Sequence, residues 1–554
     1  MTNRGPQLGL LIATMLVACS GARAGEPLFA APEQSIVGID EGGWGRRRQP
    51  EPPAAPRYSP TDVFAEAAGG STSLRPQAPV ADKSSLFGAP AAPVRLPPPC
   101  GVPCPGDFSA DPNYDYAPYC PRQEQGIYGD KYLIPTQRPL VELGLPFYDN
   151  GPIPVSQDFL GPTNLVQQKF YVYGDYRLGF SQNDLVVGEN SVLAHRLNLE
   201  VDYWLTATER FHAFLGPLQE GNNFMRIEDG EFKNELDFFD AGTDTLFFEG
   251  DLGQIYGGAT GQYAPIDLPV TAGLVPLLFQ NGVWMLDAMT GVAACLPANN
   301  SAALDWSNFD VTFFAAFDRI STAADGFNEN DVNLFGAHTF IESRGGYFEA
   351  GYAYVLDKVQ AGRSYNNIGL SYTRRYFGRV SNSLRTIFNA GQDGPVDERT
   401  ADGVLLLMEN SLITENQYNV IPYLNFFAGF GRPQPAARAG AFGGVLFNTG
   451  ILFQSDALTG YPTLDPTGNN SFGAALGADL LSRSFNQQLI VEVAALQVFD
   501  SDQGRVAPGD QYGVGARWQK ALTNASLVRA DVMHGWLENS GDISGARIEY
   551  RWKF

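Results

Sequence analysis

From Gln168 onward apolar and polar residues alternate, and few sequence properties restrict a fold more tightly. In Leu197 to Leu205 (LNLEVDYWL) one face carries Leu197, Leu199, Val201, Tyr203 and Leu205, and the other Asn198, Glu200, Asp202 and Trp204. Gln511 to Gln519 repeats the pattern, setting Tyr512, Val514, Ala516 and Trp518 against Gly513, Gly515 and Arg517. A period of two is the strand period, with one face apolar and the other wet. Roughly sixteen such segments fall between 170–180 and 544–554, separated by turn-forming clusters such as Asn539 to Asp542 (NSGD).

Past the first 20 residues no apolar run approaches the roughly 18 residues that a spanning helix needs. That excludes a helical membrane bundle. It does not exclude a membrane β-barrel, whose strands average out as mildly polar. Charged residues are 18% of the chain, below the roughly 25% usual for soluble domains. The 37 Lys and Arg against 60 Asp and Glu leave a net charge of −23, which disfavours nucleic acid as a partner.

The first residues look exported. Arg4 precedes the apolar stretch Gly9 to Ala18, too short to span a bilayer. Ala22-Arg23-Ala24 suits ordinary signal cleavage, which makes 1–24 a signal peptide, while Leu16 to Cys19 resembles a lipobox with Cys19 as the lipidated residue. Both readings put the chain outside the cytoplasm. Between Gly25 and Leu165 lie 25 prolines, against 12 from Val166 to Phe554. Proline fixes φ and removes a donor, so 25–165 is expected to be a largely disordered periplasmic segment. At about 3.1 Å per residue in polyproline form, about 75 of its residues could cross roughly 200 Å and touch the cell wall. Within it Cys100, Cys104 and Cys120 suit a small disulfide loop; as a metal site the cluster lacks a nearby His.

The last segment carries the sharpest signal. Ile548, Tyr550, Trp552 and Phe554 share one face, and Arg547, Glu549, Arg551 and Lys553 the other. This strand resembles the terminal strand of Gram-negative outer-membrane β-barrels, which the barrel assembly machinery reads. The resemblance covers 166–554 and implies an all-β, transmembrane antiparallel β-barrel in the outer membrane, with lipid and that machinery as partners. At about 24 residues per strand, the region after residue 165 makes about 16 strands, within a range of 14–18. Leu268 to Leu296 is similar to a strand–turn–strand segment of substrate-selective and alginate-export-type porins. That segment carries a Gly-Arg pair and an Asp pair, whereas here Leu274 follows Gly273 and Asp287 stands alone. Two strands joined by a Gly-containing turn explain it equally well.

No catalytic motif appears. The four histidines, His195, His212, His338 and His534, sit in no nucleophile or zinc pattern. An enzyme, a cofactor and a metal site are therefore not expected. A channel needs only a wet, charged lumen. With the more apolar face toward lipid, the inward candidates are Lys169, Asp175, Arg177, Glu200, Asp202, Arg517, Arg529, Asp531, Arg547, Glu549 and Arg551. Strand closure would set a basic sector (Arg177, Arg547, Arg551) against an acidic one; alternatively these charges pair and fill the wall. The acidic stretch Glu220 to Asp251 reads as a solvated loop or as a pore-entering constriction. Asp325 to Asn333 hints at calcium without the full ligand register. The expected function is porin-like passive diffusion of small solutes, with a structural or adhesive barrel as the alternative; homo-oligomerisation is left open.

Overall fold

The computed structural model describes residues 139–144, 157–158, 165–166, 168–206, 208–220, 223–234, 242–323, 330–414, 419–482, 486–500 and 507–554. The signal peptide, Cys19, Cys100, Cys104, Cys120 and nearly all of the Pro-rich segment lie outside these residues.

Eighteen strands close one antiparallel wall. They are β1 Lys169–Leu185, β2 Gly188–Trp204, β3 Arg210–Leu215, β4 Thr243–Asp251, β5 Pro269–Phe279, β6 Met285–Ser301, β7 Trp306–Asp318, β8 Val332–Ser343 and β9 Gly346–Asp357, followed by β10 Tyr365–Tyr376, β11 Val380–Ala390, β12 Val404–Leu412, β13 Val420–Phe430, β14 Ser471–Leu481, β15 Gln487–Val498, β16 Gln511–Ala521, β17 Ser526–Leu537 and β18 Ile543–Lys553. Each strand pairs with its sequence neighbour. The seam pairs β18 with β1, from Ser544↔Asp184 to Lys553↔Asp175. Closure leaves no free edge, as a bilayer demands, because lipid offers the backbone no hydrogen-bond partner.

The alternation sets the two faces. Leu178, Phe180, Phe313, Phe317, Val493, Val532, Ile548 and Trp552 are exposed on the outside. Their sequence neighbours Ser181, Phe314, Ala316, Glu492, Asp531, Arg547 and Glu549 are buried inside. A one-residue slip would turn every charge into lipid, so the pattern fixes the register. At the end where β1 starts most connections are short, such as Arg344–Gly345. The longest connections, 216–242 and 431–470, leave the opposite end. In membrane barrels short turns are periplasmic and long loops extracellular, which orients the wall.

The strand number is at the upper end of the expected range. Two strands lie outside the sixteen alternating segments: β6, the second strand of the Leu268 to Leu296 stretch, and β4, hidden in the acidic stretch read as a loop. There Thr245 and Phe247 are buried while Leu246 is exposed, an alternation masked by the surrounding carboxylates. Within the same stretch Arg226–Glu228 and Glu231–Lys233 pair as a hairpin whose first strand adds to β2. A second departure lies in the Pro-rich segment, where Val141–Gly144 is a strand paired with Lys169–Val172 of β1.

Candidate functional site

The lumen holds two elements that leave the wall. The first is the tip of the β5–β6 hairpin. These strands pair with each other to Phe279↔Met285, whereas β4 stops pairing at Leu246↔Leu274 and β7 at Thr290↔Asp318. Beyond those rows the tip bends inward, and Val283, Trp284 and Met285 are fully buried. Trp284 lies on a glycine pair, Gly351 and Gly369, which are directly opposite on β9 and β10. A Cβ at either position would stand 2.4 Å from the indole ring. The indole N–H donates to Asn367 Oδ1 at 2.8 Å.

The second element is the connection 431–470 between β13 and β14. It runs parallel beside the hairpin tip, Met285↔Ala437 and Leu286↔Arg438, and then crosses the lumen. Glu492 of β15 holds it by accepting from the backbone N–H groups of Ile451 (2.8 Å) and Leu452 (2.9 Å). Arg547 pairs with Asp456 at 2.7 Å. Asn183 donates to the Thr459 carbonyl at 3.0 Å, and Arg517 to Gln454 Oε1 at 2.6 Å. The wall makes room with inward glycines: Gly513 and Gly515 face Leu452, Gly535 faces Leu464, and Gly545 faces Pro462 and Tyr461. The loop is thus packed as a core as well as bonded. It carries few charges and many Gly and Pro, so it looks like neither a strand nor a solvated loop. Its length without strands between two clear strands was the available signal.

All eleven predicted pore-lining side chains belong to the face directed at the lumen. Arg177 binds Glu549 through two parallel bonds (2.7 and 3.0 Å), a strong arrangement. Arg551 reaches Asp175 at 2.9 Å, and Asp175 also accepts from Asn198 at 2.9 Å. Asp531 collects Arg517 (2.7 Å), Arg529 (2.8 Å) and Arg547 (2.8 Å). Asp202 accepts from Tyr173 (2.8 Å) and Arg210 (3.1 Å), and His212 bridges Asp202 and Glu200. Lys169 sits at the rim over the Trp204 ring. The basic sector is therefore not a bare field. Arg551, Arg177 and Arg196 are opposite one another on β18, β1 and β2, a repulsive row. Asp175 and Glu549 neutralise it from diagonal positions, and Asp244 of β4 reaches Arg196 at 3.1 Å. The alternative, paired charges that fill the wall, describes the seam.

Other inward charges escaped the sequence reading because each stands alone in a short alternating segment. Arg385 joins Glu409 at 2.7 Å, and Ser371 donates to Glu349 at 2.8 Å. Exposure divides the lumen. On the seam side, covered by the loop, Arg517, Asp531, Arg547 and Glu549 side chains are only 2–5% exposed. On β2–β4 Arg196 is 20%, Arg210 21%, Asp244 33% and Glu249 35% exposed, although Asp202 and His212 there are buried and Arg177, Arg529 and Arg551 at the seam lie in between.

Ile548, Tyr550 and Trp552 point outward and are exposed, whereas Phe554 is buried against Trp552. His195 lies on the outside beside Tyr176, and His534 beside Trp536. Asp287 accepts from Ser321 N at 2.8 Å, holding the hairpin to the connection after β7. Part of the calcium candidate, 324–329, lies outside the described residues. Among the described residues no group of three or more His, Cys, Asp or Glu is placed to hold a metal.

No family model matches the chain, and no curated protein matches it. Solved structures do. Pseudomonas aeruginosa OccK5 (OpdH) is 10% identical, with TM-score 0.45, covering 70% of this chain and 98% of its own. Pseudomonas aeruginosa OccD3 (OpdP) is 12% identical, with TM-score 0.44, covering 70% and 91%. Acinetobacter baumannii OccAB1 is 10% identical, with TM-score 0.45, covering 70% and 96%. On its own wall, with apolar side chains outside and paired charges inside, the chain is a closed antiparallel β-barrel of 18 strands.

Proposed function

We propose that the chain is an outer-membrane channel for passive diffusion of small solutes, with the path running along β2–β4 beside the inner loop. One observation carries this reading. Arg196, Arg210, Asp244 and Glu249 on β2–β4 reach water, while Arg517, Asp531, Arg547 and Glu549 at the seam are sealed by the loop and its glycine-backed packing. A solute moving there would exchange water for Arg196, Arg210, Asp244 and Glu249, a wall of both signs that favours small polar molecules over apolar ones. Diffusion needs no reactive group, which fits a lumen whose histidines bridge carboxylates or stack on rings.

The test is liposome swelling with sugars and amino acids of increasing size, using protein that shows heat-modifiable gel mobility. Swelling that falls off with solute size is the expected result. Folded protein that admits nothing would overturn the reading. It would favour a structural barrel instead, a role consistent with two inward elements packed as a core.

A further inference from the structure

We infer that the N-terminal segment completes the barrel seam: Val141–Gly144 is a splint that continues the line of β18 along β1. β1 is longer than its partner on this side. β18 pairs with it to Asp175, and Phe554 exchanges two backbone bonds with Gly174 (2.9 and 3.0 Å). Below Gly174 the edge of β1 would be open. Val141–Gly144 takes those positions in the same direction as β18, from Val141↔Val172 to Gly144↔Lys169.

The splint follows the alternation of the wall. Leu143 pairs with outward Phe170 and is itself exposed, and Glu142 pairs with inward, buried Tyr171. Gly144 has φ +85°, and a Cβ there would stand 2.3 Å from the Gln168 carbonyl. Only glycine fits that conformation and that approach.

The position matters because the seam differs from every other strand pair. All other neighbours in the wall are hairpin partners, close in sequence, whereas the seam joins residues such as Arg177 and Glu549 across 372 positions. Such a contact is the costliest to form and gains least from local chain connectivity. An open β1 edge beside it is a place for fraying or foreign strand addition. A splint covers that edge from within the chain. It also fixes where the Pro-rich segment leaves the wall, at the periplasmic rim of the seam.

Two deletions separate the splint from the segment before it. Removing 25–138 keeps Val141–Gly144, and removing 25–146 takes it away. The rate at which the heat-modifiable form is lost at fixed temperature should be unchanged in the first. In the second it should rise about tenfold, the factor that one or two net hydrogen bonds represent. Hydrogen exchange on the full chain is independent of deletion effects. The amides of Lys169–Val172 that do not face β2 should exchange slowly, and quickly in Val141→Pro/Leu143→Pro. Fast exchange in the full chain, or equal unfolding rates for both deletions, would overturn the inference.

Discussion

The indole of Trp284 and the glycines beneath it offer a perturbation whose size can be worked out in advance. Gly351→Ala adds one methyl group facing the ring. Its Cβ would lie 2.4 Å from Cη2 and Cζ3 of Trp284, and the Cβ of Gly369→Ala 2.4 Å from Cγ and Cδ1. Ordinary contact begins near 3.4 Å, so the ring must retreat by about 1 Å. It cannot rotate freely, because it is fully buried, donates to Asn367, and its carbonyl accepts from Ala436 N at 2.8 Å. Overpacking of this kind costs about 1–3 kcal/mol, and a strained indole hydrogen bond about 1 more. The wall itself loses nothing, since alanine suits a strand at least as well as glycine. The cost therefore falls on the inward hairpin. Gly351→Ala should fold with normal heat-modifiable mobility. It should also alter the Trp284 emission, seen by difference against Trp284→Phe, and lower the single-channel conductance as the tip moves into the lumen. The double-mutant cycle decides the cause: with Trp284→Ala present, Gly351→Ala should have no further effect. An effect of equal size in both backgrounds would refute the claim that the glycine pair exists to seat the indole.

Two further expectations concern the loop and the wet wall. Burial pushes the Asp456 carboxyl up, but Arg547, the Thr459 hydroxyl and Arg177 outweigh it and hold it well below the usual carboxylate range. A depressed folded-state value means that loop docking is at full strength above about pH 4 and weakens only as acid falls below that. Asp456→Asn, which leaves Arg547 buried with one partner fewer, should make 431–470 open to protease at neutral pH while the barrel stays folded; the unmodified chain should do so only in strong acid. Neutralising Arg196 and Arg210 to Gln should shift the reversal potential in a salt gradient toward cations. Neutralising Arg547 and Arg551 should disturb the loop more than the ion selectivity, because Arg547 is buried beneath the loop and binds its Asp456; a larger selectivity shift from the seam pair would place the path on the other side.

The wall was legible and its contents were not, and the reason is physical. A strand in a barrel obeys one local rule, alternate residues to lipid and to lumen, so LNLEVDYWL or the last residues of β18 declare both structure and orientation. Register followed as well, because Arg547, Glu549 and Arg551 cannot face lipid. β4 was missed because its alternation is carried by threonines and phenylalanines amid carboxylates, and charge density outweighs a period over nine residues. What enters the lumen is decided by contacts between segments far apart in sequence: Glu492 with Leu452, Gly351 with Trp284, Asn183 with Thr459. None has a local period. One trace did reach the sequence. The inward positions of Gln511 to Gln519 read Gln, Gly, Gly, Arg, Gln. A lumen open to water has no need of glycine there, since any polar side chain would serve and cost less backbone entropy. Gly513 and Gly515 make sense once Leu452 lies against them. Glycine on the polar face of a barrel strand is therefore a mark of something packed inside, and it locates the inner loop against β16–β18; on β2 the loop's Leu458 packs on the small inward side chains Val192 and Ala194, and only beyond them do the inward positions turn polar, at Arg196, Asn198, Glu200 and Asp202.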